Sequence, residues 1–261
     1  PIVLERGRSV EKRRQDVEKF WETGLLDPAS NVQFGEGGAG TFSDGKLNTV
    51  VKDPSGRNQF VLETFVHYGA PEEITYENKP HIGTDVLSQV IGNMRKDLIA
   101  KGAEFHFESC VKDLVIENGR IAAVVTEEET YPASAVILAL GHSARDTFEM
   151  LDAKKEIPME VKNFAVGFRV EHPQTMIDTI MYGDYRGAKL PASPYKVTSN
   201  FPNGRGVYSF CMCPGGYVVN ASSEEGRSCV NGMSYSGRNG ANANSAIIVS
   251  VTPQDFGADD P

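Results

Sequence analysis

Between residues 35 and 49 the chain places closely spaced glycines, Gly35, Gly37, Gly38 and Gly40, ahead of Thr41, Ser43 and Lys46. Glycine lacks a Cβ and reaches positive φ without strain, so successive backbone N–H groups can converge on a phosphate or an electron-rich ring. The chemistry to expect is capture of an anionic cofactor; a glycine-rich loop with no ligand is the alternative. Gly35-x-Gly37-x-x-Gly40 matches the dinucleotide fingerprint literally, but that fingerprint works only between an apolar strand and a helix start. Residues 30–34 are short and polar, and Ser43-Asp44-Gly45 is turn chemistry, so the literal match lacks its setting.

The elements that must position this loop begin at the chain start. Ile2-Val3-Leu4-Glu5-Arg6-Gly7 is an apolar run ending in an acid, followed by Val10, Val17, Phe20 and Trp21 at helical spacing. In dinucleotide-binding folds the second parallel strand ends in an acid that accepts hydrogen bonds from the adenosine ribose. Glu5 is the candidate; an ordinary solvated glutamate is the alternative.

Together Glu5-Arg6-Gly7, the loop 36–49, the run 137–143 and Asn231-Gly232-Met233-Ser234 resemble bacterial FAD-dependent dehydrogenases of the two-dinucleotide-binding-domain type, a group of NAD(P)/FAD-dependent oxidoreductases. The resemblance implies an α/β fold: a Rossmann-like, FAD/NAD(P)-binding parallel sheet with a β-hairpin insertion over residues 1–157, and a mixed β-rich second lobe over 158–261 that covers the flavin and shapes substrate choice. It implies FAD as the cofactor, NAD(P)H or the substrate as the electron donor, and a small-molecule substrate. It also implies an internal fragment, lacking the first strand with its Gly-x-Gly-x-x-Gly turn and a later Gly-Asp segment. The cofactor-binding residues carried over are Glu5, Arg6, Gly37, Gly38, Gly40, Thr41, Ser43, Lys46, Val111 and Gly141. Ser43 and Lys46 are candidates for polar contacts to flavin or pyrophosphate, with Lys46 able to stabilise the charge of a reduced flavin. Val111 is expected beside the adenine through its backbone, and Gly141 lets the chain pass close to the cofactor. Lys46 as a solvated residue, Val111 as a core residue and Gly141 as a plain turn remain the alternatives, and no catalytic side chain is named.

Length and charge bound the rest. A chain of 261 residues suffices for two modest lobes. Its 26 basic and 35 acidic side chains, net −9, argue against a general nucleic-acid surface or an anionic membrane partner. No run has the apolar length of a membrane span, and Cys110, Cys211, Cys213 and Cys229 have no repeated metal-ligand spacing, which points to a reducing cytoplasm.

Periodicity predicts a helix over 84–101 with Thr84 as its cap and Gly102 past its end. Strands follow over 103–107 and 110–117, an Asn118-Gly119 hairpin turn into 120–126, a buried strand over 135–140 ending at Gly141, and a helix over 144–151. Beyond residue 158 short strands are expected at 165–170, 195–199, 206–211, 216–220 and 246–251. A helix over 173–181 has Pro173 in its first turn. The segment 238–244 is polar and small enough to face a ligand.

Alternate residues on a strand share a face, so Cys211 and Cys213 could bring both sulfurs to one site. A structural role is the first expectation, and a redox dithiol or metal ligation the alternatives. Neither His-Glu-x-x-His nor Gly-x-Ser-x-Gly occurs, so a zinc hydrolase and a serine hydrolase are unsupported. Arg169 and Arg238 could bind an acidic substrate or form ion pairs. The leading expectation is an FAD-dependent oxidoreductase; the alternative is a flavin- or nucleotide-binding regulatory module without turnover.

Overall fold

The computed structural model describes residues 1–47, 52–184 and 189–257. Asn48 and Thr49, the end of the expected cofactor loop, and residues 258–261 lie outside the described residues.

The apolar triplet Ile2–Leu4 forms strand β1. Val10–Thr23 follows as helix α1, with Val10, Val17 and Phe20 buried on one face and Gly24 at φ 75° stopping the helix through its N–H to the Phe20 carbonyl. Past a 3-10 turn at Ala39–Phe42, Arg57–His67 (α2) and Thr84–Ala100 (α3) enclose a core of Ala70, Ile74, Ile82, Leu87 and Val90. Gly83, not Thr84, takes the N-cap of α3; Thr84 lies one residue inside, where its hydroxyl donates to the Ser43 carbonyl at 2.9 Å.

Glu104–His106 (β2) pairs in parallel with β1, Val3 opposite Phe105. Among the described residues this two-stranded pair is the parallel sheet. Asp113–Glu117 (β3) and Arg120–Val125 (β4) form the expected hairpin, since Asn118 at φ 51° and Gly119 at φ 73° tolerate the left-handed turn that matches strand twist. Thr130–Pro132 (β5) extends it to three strands.

Residues 135–140 do not form the expected buried strand. Val136 and Leu140 pack against a cluster of Leu114, Val124 and Leu151, while Ile137 is 93% exposed. An apolar run becomes a strand only when a neighbour takes its N–H and C=O groups, and β1 pairs with β2 alone. Arg145–Ala153 (α4) follows as expected.

The later residues build a four-stranded antiparallel sheet in the order β6-β11-β8-β7, from Phe164–Pro173 (β6), Thr198–Asn200 (β7), Gly206–Cys213 (β8) and Asn242–Val251 (β11). Between β6 and β7 lies helix α5, Gln174–Tyr182, for which Pro173 is the N-cap rather than a first-turn residue. The strand expected from 195 starts only at Thr198. Tyr217–Asn220 (β9) pairs with Val230–Met233 (β10), a strand the sequence did not announce. A single turn, Pro253–Phe256 (α6), follows β11.

One core cluster ties these parts together. Val17, Val32 and Phe42 pack with Ala221 and Met233, and the Trp21 indole donates to the Asn220 carbonyl at 2.8 Å. Burying each of the Val, Phe and Met side chains contributes roughly 1.5–3 kcal/mol, so the glycine-rich loop is held firmly against β10. No helix among the described residues is long and apolar enough to cross a membrane.

Candidate functional site

The loop is clamped from beneath by a buried arginine of α1. Arg13 sits on the apolar face of α1 between Val10 and Val17 and is 0% exposed. Its guanidinium donates to the carbonyls of Asn31, Val32 and Glu36, each at 2.8 Å, and lies 4.9 Å from the centre of the Phe42 ring. Burial pulls its pKa down to about 10, which still leaves it charged at neutral pH. A Cβ on Gly35 would stand 2.3 Å from Arg13 Cδ, so only glycine lets the loop close over this side chain. Glu36 turns inward too: its Oε2 accepts from the Val10 N–H at 2.8 Å at the start of α1. Burial raises the Glu36 carboxyl above its ordinary value, against the pull of that bond and of Arg95.

On one side of the loop lies a cavity of about 1000 Å³. Its walls bring together Glu5, Arg6, Gly37, Gly38, Val111 and Gly141 from four separate stretches of chain, the last of them the irregular segment 133–141. Glu5 Oε1 accepts from the backbone N–H groups of Gly7 at 2.8 Å and Gly35 at 3.1 Å, so one oxygen shapes the loop. Its Oε2 makes no hydrogen bond among the described residues. Arg6 is committed to the protein: it donates to both oxygens of Asp146, at 2.7 and 2.8 Å, and stacks over Phe34. Gly37 has φ 86°, and a Cβ there would meet Thr41 Oγ1 at 2.2 Å; Gly141 has φ 67° and open space where its Cβ would be.

Gly40, Thr41, Ser43 and Lys46 do not line that cavity. Gly40 is exposed in the 3-10 turn. Thr41 is buried, and its hydroxyl has no partner among the described residues. Ser43 donates to the Gly40 carbonyl at 2.7 Å and accepts from the Gly45 N–H at 3.0 Å, bracing the turn. Lys46 points to the other side of the loop, where Nζ lies 2.9 Å from Asp44 Oδ2 and 3.7 Å from Cys213 Sγ. Asp44, 1% exposed, also binds Arg238 and the Ser234 hydroxyl. Burial alone would raise its carboxyl, but Arg238, Lys46 and Ser234 together hold it below its ordinary value. Arg238 thus forms an ion pair instead of facing a substrate, and Arg169 donates to the Cys211 carbonyl at 3.1 Å and to Asn244 Oδ1 at 2.5 Å. The loop therefore lies between a cavity of about 1000 Å³ and a charged cluster that holds the Cys213 thiol. Arg13 was visible in the sequence only as a charge at an apolar helical position; nothing in the spacing linked Asp44 to Arg238.

Residues 163–261 match the family described as FAD-dependent protein, C-terminal domain-like, so that segment is similar to a domain of FAD-dependent proteins. Over its whole length the chain is 49% identical to an uncharacterized protein of Clostridium beijerinckii (strain ATCC 51743 / NCIMB 8052), in an alignment of 263 residues that covers 100% of this chain and 49% of the relative. The chain thus spans about half the length of that relative. Solved structures with some similarity include glycine oxidase from Bacillus cereus ATCC 14579, at 11% identity and a TM-score of 0.30 over 70% of this chain and 38% of that one. Another is the tetracycline destructase Tet(51), at 10% identity and a TM-score of 0.35 over 96% and 56%.

Proposed function

We propose that this chain is part of an FAD-dependent oxidoreductase acting on a small-molecule substrate, and that the cavity beside β1 takes the adenosine side of the cofactor. The observation that carries this reading is the convergence of Glu5, Gly37, Gly38, Val111 and Gly141 on one cavity of about 1000 Å³, in a chain whose residues 163–261 match an FAD-dependent family.

The residues fit such a group. Glu5 keeps one carboxylate oxygen free to accept from a ribose hydroxyl, while its other oxygen fixes Gly7 and Gly35. Gly38 and Gly141 have open space where a Cβ would be, so a ligand can lie against the main chain along the wall. Val111 offers an apolar wall beside a backbone edge, suited to a base.

A bound flavin supplies hydride chemistry in its own ring, which leaves binding, orientation and local charge to the protein. In this reading residues 1–157 hold the dinucleotide, residues 158–261 form the lobe that shapes substrate access, and electrons arrive from NAD(P)H or from the substrate in the cytoplasm. Lys46 has its charge balanced by Asp44. The test is an FAD titration of the chain and its Glu5→Gln variant. Gln keeps an acceptor for Gly7 and Gly35 but loses the charge offered to a ribose. A hydrogen bond to a charged group is worth about 1.5–3 kcal/mol, so a tenfold or greater loss of affinity is expected; an unchanged affinity would remove Glu5 from the site.

A further inference from the structure

The flavin reading leaves the thiol cluster behind the loop unused, although its geometry is specific. In the pairing of β8 with β11, Phe210 opposes Ala246 and Cys213 opposes Asn244, so Cys211 and Met212 together face Ser245. Two residues against one is a β-bulge, and its first position is one that glycine often fills in the left-handed region. Here Cys211 holds that place at φ 48°. The bulge turns the Cys213 thiol back onto residue 211: its S–H donates to the Cys211 carbonyl oxygen at 3.3 Å.

The surroundings suit a thiolate. Lys46 Nζ stands 3.7 Å from Cys213 Sγ, and Arg169 donates to the Cys211 carbonyl. Asp44 is the carboxylate facing the cluster, and it is already shared between Lys46 and Arg238. Asn244 is 0% exposed, and its Nδ2 has no hydrogen-bond partner among the described residues, which leaves a buried N–H donor in the cluster. The site is also kept open at Gly232, where a Cβ would collide with Arg169, Asn244 and Cys213 at 2.3, 2.4 and 2.8 Å. Cys213 is fully buried whereas Cys211 is only half-buried, so a reagent from solvent meets Cys211 first.

We propose that Cys211 and Cys213 form a redox-active dithiol, with Cys211 the attacking thiolate and Cys213 the resolving thiol, that reduces low-molecular-weight disulfides. Cys211 sulfur attacks one sulfur of the disulfide RSSR; its S–S bond breaks, and RS⁻ leaves and takes up the proton that Cys211 has lost. Cys213 then attacks Cys211 sulfur, forming the internal S–S bond and expelling the second RS⁻, which takes the Cys213 proton. The protein loses two electrons and two protons, and RSSR becomes two RSH. The hydrogen bond from Cys213, reinforced by Lys46 and Arg169, lowers the Cys211 pKa well below its ordinary value against the effect of burial, while the same contact and burial raise that of Cys213. Low pKa on the accessible thiol and high pKa on the buried one match these two roles.

The test uses the whole chain with Cys110→Ser and Cys229→Ser, so that only this pair reports, and an aromatic disulfide whose released thiol absorbs. The proposal predicts release of two equivalents of thiol per chain and a protein lighter by two hydrogen atoms, with no retained adduct. Adding Cys213→Ser should give one equivalent and a stable mixed disulfide, and adding Cys211→Ser should slow release at least tenfold. Lys46→Met in the parent should move the pH midpoint of the reaction upward. Two stable adducts in the parent, or a Cys211→Ser chain reacting as fast as the parent, would overturn the proposal. None of these readouts requires bound FAD, so failure here leaves the flavin reading standing, and the reverse holds too.

Discussion

Asp44 and Arg238 stand 194 residues apart in the chain and meet as a two-pronged ion pair, Arg238 Nε donating to Asp44 Oδ1 at 3.0 Å and Nη2 to Oδ2. Lys46 and Ser234 complete the carboxylate's shell. Through this single buried carboxylate the glycine-rich loop is fixed to the segment following β10, so the cavity on one face and the thiols on the other share a wall.

Asp44→Asn should therefore destabilise the protein by about 3–5 kcal/mol, since two cations lose their buried counter-charge. Urea unfolding measures this. The same carboxylate has a depressed pKa in the folded protein, so its contribution is fully present above the unfolded value of about 3.9 and is lost as pH falls through the folded value. Stability measured from pH 7 down to the acid limb should fall less steeply for the variant than for the parent.

Gly37→Ala should cost more than the roughly 1–2 kcal/mol of placing a Cβ in the left-handed region, because that Cβ also meets Thr41 Oγ1 at 2.2 Å. Combining it with Thr41→Ala should recover the steric part and leave the backbone part. Thermal unfolding of the two single variants and the double variant separates the contributions; strict additivity would mean that the clash is absent.

Arg13→Met keeps an unbranched apolar stem but strips hydrogen bonds from the carbonyls of Asn31, Val32 and Glu36. Buried acceptors left unpaired cost about 1–3 kcal/mol each, so a loss of at least ~3 kcal/mol is expected. Arg13→Lys should rescue little, because an ammonium cannot reproduce the planar fork. Full recovery by lysine would show that charge alone matters.

Local chemistry explains which parts of this structure were legible from the residues. The triplet Ile2–Leu4, the helices at 10–23 and 84–100 and the Asn118-Gly119 hairpin follow from apolar spacing and left-handed turn residues, all of which are local. The run 135–140 misled because apolar character favours a strand but does not supply its hydrogen-bonding neighbour. Of the residues expected to bind a cofactor, Glu5, Arg6, Gly37, Gly38, Val111 and Gly141 line one cavity, whereas Gly40, Thr41, Ser43 and Lys46 do not, because the loop's local spacing does not say which way each side chain turns. Nothing in a cysteine announces a left-handed φ, so the bulge at Cys211 emerged only from its pairing with β11.

The most direct measurement of the central claim is a titration of FAD fluorescence with the chain and with Ala139→Trp. Ala139 is exposed and lines the cavity, so an indole there fills space without disturbing the core. The account predicts saturable quenching by the parent and at least tenfold weaker binding by the variant, with both equally stable to urea. Identical isotherms for the two chains, or no saturable binding by the parent, would contradict it.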